Sequence, residues 1–241
     1  MPLPDAELER VLVVAAHPDD IDFGAAGTVA TFVDAGLEVT YLLCTYGDQG
    51  GFDDTPREQM PAIRAAEQQA AAAAVGVQDV RFLQGYRDGW LEPSFALQRD
   101  IVRVIRDVRP QRMLIQSPER NWQRVQSSHS DHLAAGEASI RAVYPAARNP
   151  HAWPELITDE GLQPWSVSEL WLMAHADSTH FVDITDTFGR KVAALRAHVS
   201  QTGHLGAELE TMLRGWSTTM AAAAGWPEGR LAEAFTVVPT V

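Results

Sequence analysis

The sequence contains little cysteine, no long apolar run and few basic residues. Cys44 is the only cysteine, so the chain cannot form an internal disulfide, and we expect it to work in a reducing compartment. No segment reaches the roughly 18 consecutive apolar residues that a membrane span requires. Residues 1–10 carry acidic side chains where a signal peptide would be basic and then apolar. We therefore expect a cytoplasmic protein without a membrane partner.

The shortage of basic side chains excludes a second class of partner. Lys and Arg number 19 against 32 Asp and Glu, which gives a formal net charge of −13. A surface of this sign repels the phosphate backbone of nucleic acids. We expect a small-molecule partner and no nucleic acid, and a homo-oligomer is compatible with this composition.

The residues that are present predict one globular α/β domain. The chain has 241 residues, of which 46% are hydrophobic and 21% charged, with neither a linker nor a repeat. The apolar run 11–16 is typical of a parallel strand buried on both faces, and the helical spacing of 24–35 ends before Gly36. Further predicted strands cover 39–44, 79–83, 112–116, 169–173 and 181–184, and further helices cover 56–75, 97–108, 131–142 and 187–198.

This alternation predicts a Rossmann-like, doubly wound, mostly parallel sheet, because parallel neighbours need a helix-length return path. For the first four strands we expect the order 3-2-1-4. We expect the core to span about 11–201, with a long surface loop at 149–165 and a C-terminal helical extension at about 202–241.

Two dense clusters of histidine and aspartate follow predicted strands one and four. They are HPDD at 17–20 and SHSDH at 128–132. In the order 3-2-1-4 these strands are neighbours, and ligands bind in the crevice beyond their carboxyl ends. Two imidazoles and one carboxylate with open positions form a common catalytic site for Zn²⁺ and also suit Fe²⁺. Spacing alone leaves open which aspartate binds the metal.

The remaining members of the clusters suit the hydrolysis of an amide. A second aspartate can accept the proton of a metal-activated water. His129, oriented by Asp131, can stabilise the oxyanion or protonate the leaving amine. The alternative is that the aspartates cap helices and the histidines are structural. For the five other histidines we predict surface or structural roles: His151, His175, His180, His198 and His204.

Three more polar residues follow predicted strands or lie on the second helix. Asp48 and Asp88 could face a polar ligand, although turn formation beside glycine explains them equally well. Arg64 could hold a hydroxyl or carboxylate, or lie in solvent.

These residues resemble the LmbE-like, or PIG-L, family of zinc-dependent N-deacetylases, which act on N-acetylglucosaminyl compounds and related amides. AHPDD at 16–20 is similar to the family's first signature, and HSDH at 129–132 to its second, usually HPDH. Arg64 and Glu67 with the alanines that follow, VDIT at 182–185, Lys191 and SQ at 200–201 also resemble family segments. The resemblance spans about 11–201.

The resemblance implies a role for each residue. Zinc, or Fe²⁺, would be held by His17, Asp20 and His132. Asp19 would be the general base, and His129 would stabilise the oxyanion or protonate the amine. Arg64 and Asp88 would contact the substrate. Ile21, Ser130 and the pair Ala25-Ala26 depart from the family pattern without removing a ligand, so they bear on the substrate.

We therefore expect a hydrolase that removes an acyl group, with acetyl favoured, from an N-acetylglucosaminyl-type amine. The alternatives are an amidase acting on a thiol conjugate or antibiotic intermediate, and a noncatalytic metal- or sugar-binding module. A dinucleotide-dependent oxidoreductase is disfavoured, because two aspartates occupy the turn where GxGxxG would approach a pyrophosphate.

Overall fold

The computed structural model describes residues 2–52 and 54–241. These residues form a central sheet of seven strands. The strands are β1 (Arg10–Ala15), β2 (Glu38–Leu43), β3 (Asp79–Phe82), β4 (Arg112–Gln116), β5 (Glu169–Met173), β6 (His180–Asp183) and β7 (Ala232–Pro239). Their order is β3-β2-β1-β4-β5-β7-β6, and β7 runs opposite to the other six strands. The predicted Rossmann-like, mostly parallel sheet and the order 3-2-1-4 are confirmed.

Helices cover both faces of the sheet. They are α1 (Asp20–Asp34), α2 (Met60–Val75), α3 (Phe95–Val108), α4 (Ser130–Arg141), α5 (Glu155–Thr158), α6 (Phe188–Ala197), α7 (Val199–Thr202) and α8 (Glu208–Ala223). Leu12 and Val14 of β1 pack into the cluster that contains α3 and α4, whereas Val11 and Val13 pack beneath α1 and α2. Burial on both faces explains the uninterrupted apolar run of this strand.

The helix ends follow the local sequence closely. Gly36 adopts φ +87 just beyond α1, a conformation that costs glycine little. Pro61 lies in the first turn of α2, where a missing N–H breaks no helical bond. α1 begins four residues before the predicted start, because the turn at 17–19 leads directly into it.

The C-terminal segment differs from the predicted helical extension. α8 is followed by β7, which lies between β5 and β6 and therefore belongs to the sheet. Glu233 of β7 is buried, and its carboxylate accepts hydrogen bonds from Lys191 Nζ at 2.5 Å and from the backbone N–H of Thr28 at 2.7 Å. The predicted surface loop at 149–165 also contains the short helix α5, whose Leu156 is buried. No helix in the described residues is both long and apolar enough to cross a membrane.

Candidate metal centre and active site

The two predicted clusters meet at the carboxyl edge of the sheet. β1 and β4 are parallel neighbours, with Val14 opposite Ile115, so the loops that leave them open onto one crevice. The loop after β1 carries His17 and enters α1 at Asp20, and the loop after β4 places His129 at the N-cap of α4.

The three predicted metal ligands lie together in this crevice. Asp20 is placed between two imidazoles, with Oδ2 at 3.2 Å from His17 Nδ1 and Oδ1 at 2.9 Å from His132 Nε2. The backbone N–H of His17 also donates to Asp20 Oδ2 at 2.8 Å. The centroids of the two rings are 5.4 Å apart. The site thus presents two imidazoles and one carboxylate, the donor types that Zn²⁺ and Fe²⁺ bind.

The other nitrogen of His17 is held by carboxylates. Nε2 lies 3.1 Å from Asp131 Oδ2 and 3.0 Å from Asp88 Oδ1. The carboxylate of Asp131 is itself fixed by the backbone N–H groups of Gly89 at 2.7 Å and Leu91 at 3.3 Å. A metal-ligating histidine normally donates its second N–H to such a carboxylate. This arrangement fits His17 as a metal ligand through Nδ1.

Neighbouring histidine and aspartate side chains form two further groups of potential ligands in the described part of the chain. In each group the ligand atoms lie within 4.8 Å of one another: His17 with His129 and His132, and His17 with Asp88 and Asp131. His17 belongs to both groups and therefore lies at the centre of the cluster.

His129 differs from the predicted arrangement with Asp131. The Asp131 carboxylate is 4.0 Å from His129 Nδ1, beyond hydrogen-bond distance, because it is engaged with His17. Instead, the backbone N–H of Asp131 donates to Nδ1 at 3.2 Å. A neutral ring that accepts at Nδ1 carries its proton on Nε2. Burial and the charge of His17 lower the pKa of His129, and its side chain is 45% exposed, so this N–H can reach a ligand.

The carboxylate of Asp19 has a different partner from that of its neighbour Asp20. Its backbone adopts φ +86, and its carboxylate lies 3.2 Å from Nη2 of Arg64. Arg64 is buried and also donates through Nη1 to Gly47 O at 2.9 Å. The predicted substrate residue Arg64 is therefore at the site, with several of its donors already engaged by the protein.

The loops after β2 and β3 join beside this cluster. The backbone N–H of Asp88 donates to Asp48 Oδ1 at 3.0 Å, and Asp88 Oδ2 accepts from the N–H of Gln49 at 3.1 Å. The structure thus places Asp48 in the contact between loops, and brings Asp88 to His17.

The charges of the cluster favour a cation between the imidazoles. Burial opposes ionisation of Asp20, but the charges and hydrogen bonds of His132 and His17 prevail and hold its pKa well below the usual range. Burial also opposes protonation of the two histidines, yet Asp20 raises the pKa of both. A divalent ion would supply this positive charge more strongly than protons do. Burial raises the pKa of Asp19 to about 6, and the charge of Arg64 opposes that rise.

Sequence reasoning missed a polar group behind Asp19. The side chain of Gln68 in α2 accepts the backbone N–H of Asp19 at 2.9 Å and donates to Asp22 Oδ2 at 2.7 Å. The same oxygen of Asp22 lies 2.8 Å from His198 Nε2. Gln68 lies one helical turn beyond Arg64, so the i, i+4 spacing could have indicated that the two share a face.

Comparison with known proteins identifies relatives of this chain. The family model described as PIG-L, GlcNAc-PI de-N-acetylase, matches residues 12–143. Diacetylchitobiose deacetylase of Thermococcus kodakarensis is 32% identical over 82% of this chain and 72% of the relative. Probable N-acetyl-alpha-D-glucosaminyl L-malate deacetylase 2 of Bacillus cereus is 34% identical over 81% of this chain and 85% of the relative.

A solved structure shares the whole fold. N,N'-diacetylchitobiose deacetylase from Pyrococcus horikoshii, in complex with its inhibitor MPG, superposes with a TM-score of 0.87 at 29% identity. The match covers 98% of this chain and 86% of the other chain. The similarity therefore includes the C-terminal helix and strand as well as the segment that the family model matches.

Proposed function

Because the chain belongs to the PIG-L family of GlcNAc-PI de-N-acetylases, we propose that it is a metal-dependent hydrolase that deacetylates the amine of an N-acetylglucosaminyl-type substrate. The observation that carries this proposal is the convergence of His17, Asp20 and His132 beside a separate carboxylate, Asp19, in one crevice. A metal site with a carboxylate beside it that is not one of the ligands supports hydrolysis over simple binding.

His17, Asp20 and His132 would hold the ion, which we propose to be zinc, with Fe²⁺ as the alternative. When bound, the metal would polarise the amide carbonyl and lower the pKa of a water molecule. Asp131 orients the ring of His17 and favours the tautomer that leaves Nδ1 free to bind.

Asp19 acts in this proposal as the general base. Burial raises its pKa above the usual value of an aspartate, which makes the carboxylate a better proton acceptor. It takes the proton of the attacking water and can return a proton to the amine that leaves. Arg64 holds the carboxylate in place through Nη2.

His129 donates from Nε2 to the oxygen of the tetrahedral intermediate. Its neutral form carries that proton because Nδ1 accepts the backbone N–H of Asp131. One such donor typically contributes about 10²–10³ in kcat.

The substrate we propose contains an N-acetylglucosaminyl unit. The Bacillus relative is named for an N-acetyl-alpha-D-glucosaminyl compound and the Thermococcus relative for diacetylchitobiose, and both are named as deacetylases. Asp88 lies 3.0 Å from His17 Nε2 and 3.9 Å from Arg64 Nη1, and in this proposal it would accept sugar hydroxyl groups.

An amine-release assay of zinc-loaded protein tests the proposal. The panel contains N-acetylglucosaminides, acylated antibiotic intermediates and N-acyl cysteine conjugates, and the same protein with Asp19→Asn is the control. We expect release from the first class and loss of release in the variant. No release from any amide, or equal release by the variant, would contradict the proposed function.

A further inference from the structure

The backbone of Asp19 adopts a conformation that must be held by its surroundings. Its φ of +86 is in the left-handed region, which residues other than glycine seldom occupy. Such conformations persist where the neighbouring structure determines them, and they are concentrated at functional sites. This turn directs Asp19 towards Arg64 while Asp20 faces the two histidines.

A buried chain of three side chains leads to the backbone of Asp19. The side-chain oxygen of Gln68 accepts its N–H at 2.9 Å. The side-chain amide of Gln68 donates to Asp22 Oδ2 at 2.7 Å, and the same oxygen lies 2.8 Å from His198 Nε2. The exposure of Gln68, Asp22 and His198 is 0% for each. The three residues come from α2, from α1 and from the junction of α6 with α7.

The order of the three residues determines which end of the Gln68 amide faces Asp19. A carboxylate accepts hydrogen bonds and cannot donate them, so Asp22 requires the NH₂ end of the amide. The carbonyl end is then left to accept the N–H of Asp19. His198 Nε2 holds Asp22 in this orientation from the opposite side.

The three residues form a polar connection inside the protein. Asp22 Oδ1 and His198 Nδ1 are buried and have no hydrogen-bond partner among the described residues. The hydrogen bonds that the three residues do make run from His198 through Asp22 and Gln68 to the backbone N–H of Asp19. This connection therefore ends at the loop that carries the proposed base.

We propose that Gln68, Asp22 and His198 are positioning residues that hold the backbone of Asp19 so that its carboxylate points at the reacting water. This inference rests on the proposed function, in which Asp19 is the general base. It assigns a role in turnover to three residues that bind neither metal nor substrate.

Three variants and one matched control test the proposal. Gln68→Met keeps the length of the side chain and removes both hydrogen bonds. His198→Leu removes the donor to Asp22, whereas His198→Gln retains an N–H close to the position of Nε2. The control is Glu67→Met on the same helix, because Glu67 accepts the N–H and Oγ–H of Ser200 at 2.7 and 2.6 Å and has no bond to Asp19.

Four quantities are measured for each protein: zinc content, kcat, KM, and the hydrogen exchange rate of the Asp19 amide by NMR. A displacement of about 1 Å at a catalytic group can cost roughly 10² in rate. We therefore expect Gln68→Met and His198→Leu to lower kcat by about 10- to 100-fold, with zinc content unchanged and KM within about threefold of wild type. Exchange of the Asp19 amide becomes faster in both variants. His198→Gln recovers most of kcat, and Glu67→Met leaves kcat and Asp19 exchange at the wild-type values.

Unchanged kcat and unchanged Asp19 exchange in Gln68→Met would overturn the proposal. So would an equal loss of kcat in Glu67→Met, because the effect would then belong to helix packing. Failure of the proposed function is distinguishable, since it appears as no amine release by the wild type or as full release by Asp19→Asn. In that case the exchange of the Asp19 amide still tests whether Gln68 holds this backbone.

Discussion

Two adjacent carboxylates with different partners should respond differently to the same substitution. Asp20 contacts the rings of His17 and His132, whereas Asp19 contacts Arg64. Asp19→Asn and Asp20→Asn each remove one negative charge, and each leaves the size of the side chain almost unchanged. The pair therefore separates metal binding from proton transfer.

The structure indicates what Asp19→Asn preserves. The amide oxygen of asparagine can still accept from Arg64 Nη2, and asparagine tolerates the left-handed backbone of this position. The metal should therefore be retained and the protein should remain stable. An amide cannot accept the proton of water, so kcat should fall by about 10²–10⁴. At about 1.36 kcal/mol per tenfold change, this is roughly 2.7–5.4 kcal/mol of transition-state stabilisation.

Asp20→Asn should weaken metal binding, whereas Asp19→Asn should retain it. It removes the charge that holds both imidazoles, and even the loss of an outer-shell partner costs about 10- to 100-fold in metal affinity. We expect zinc affinity to fall by at least about 10²-fold, with turnover lost at limiting zinc.

The assay measures zinc content after dialysis, kcat by amine release with and without added zinc, and the melting temperature of each protein. If Asp19→Asn loses the metal while Asp20→Asn keeps both the metal and most of its activity, the two roles are reversed and the mechanism fails.

Three further predictions follow from other contacts. Purified protein should hold one divalent ion per chain, which His132→Ala should weaken, and chelation should leave the circular dichroism of the fold intact; collapse on chelation would make the metal structural. Lys191→Met removes the charge that pairs with the buried carboxylate of Glu233, so stability should fall by about 3–5 kcal/mol and Tm by roughly 6–20 °C; a change below 2 °C would contradict a buried ion pair. Burial opposes protonation of His198, but the hydrogen bond and charge of Asp22 prevail and raise its pKa. Metal-free wild type should therefore have a higher free energy of unfolding than metal-free His198→Gln. This difference should be fully present below about pH 6.5 and decline as pH rises through the pKa of His198 in the folded protein. Chemical denaturation of both proteins across that pH range measures it.

Much of the fold was predictable because its signals are local. An apolar run such as 11–16 indicates burial of the strand on both faces. Gly36 and Gly76 follow the last residues of two helical patterns, and both adopt the positive φ that ends a helix. The strand β7 was missed, although its run Thr236-Val237-Val238 is rich in β-branched residues. A single strand at the end of a chain carries no local sign of the two strands between which it pairs.

The sequence by itself determined which residue types meet at the crevice, because strand order places the ends of β1 and β4 side by side. Only the tertiary structure decided how they pair. Asp131 bonds to His17 instead of the nearby His129, and Gln68, Asp22 and His198 converge on Asp19 from separate helices. The physical reason is that spacing along the chain specifies the face and the edge on which a side chain lies. Its hydrogen-bond partner depends on elements far away in the sequence, as for His17 and Asp131, which are 114 residues apart. It also depends on which competing donor the packed backbone brings within about 3 Å.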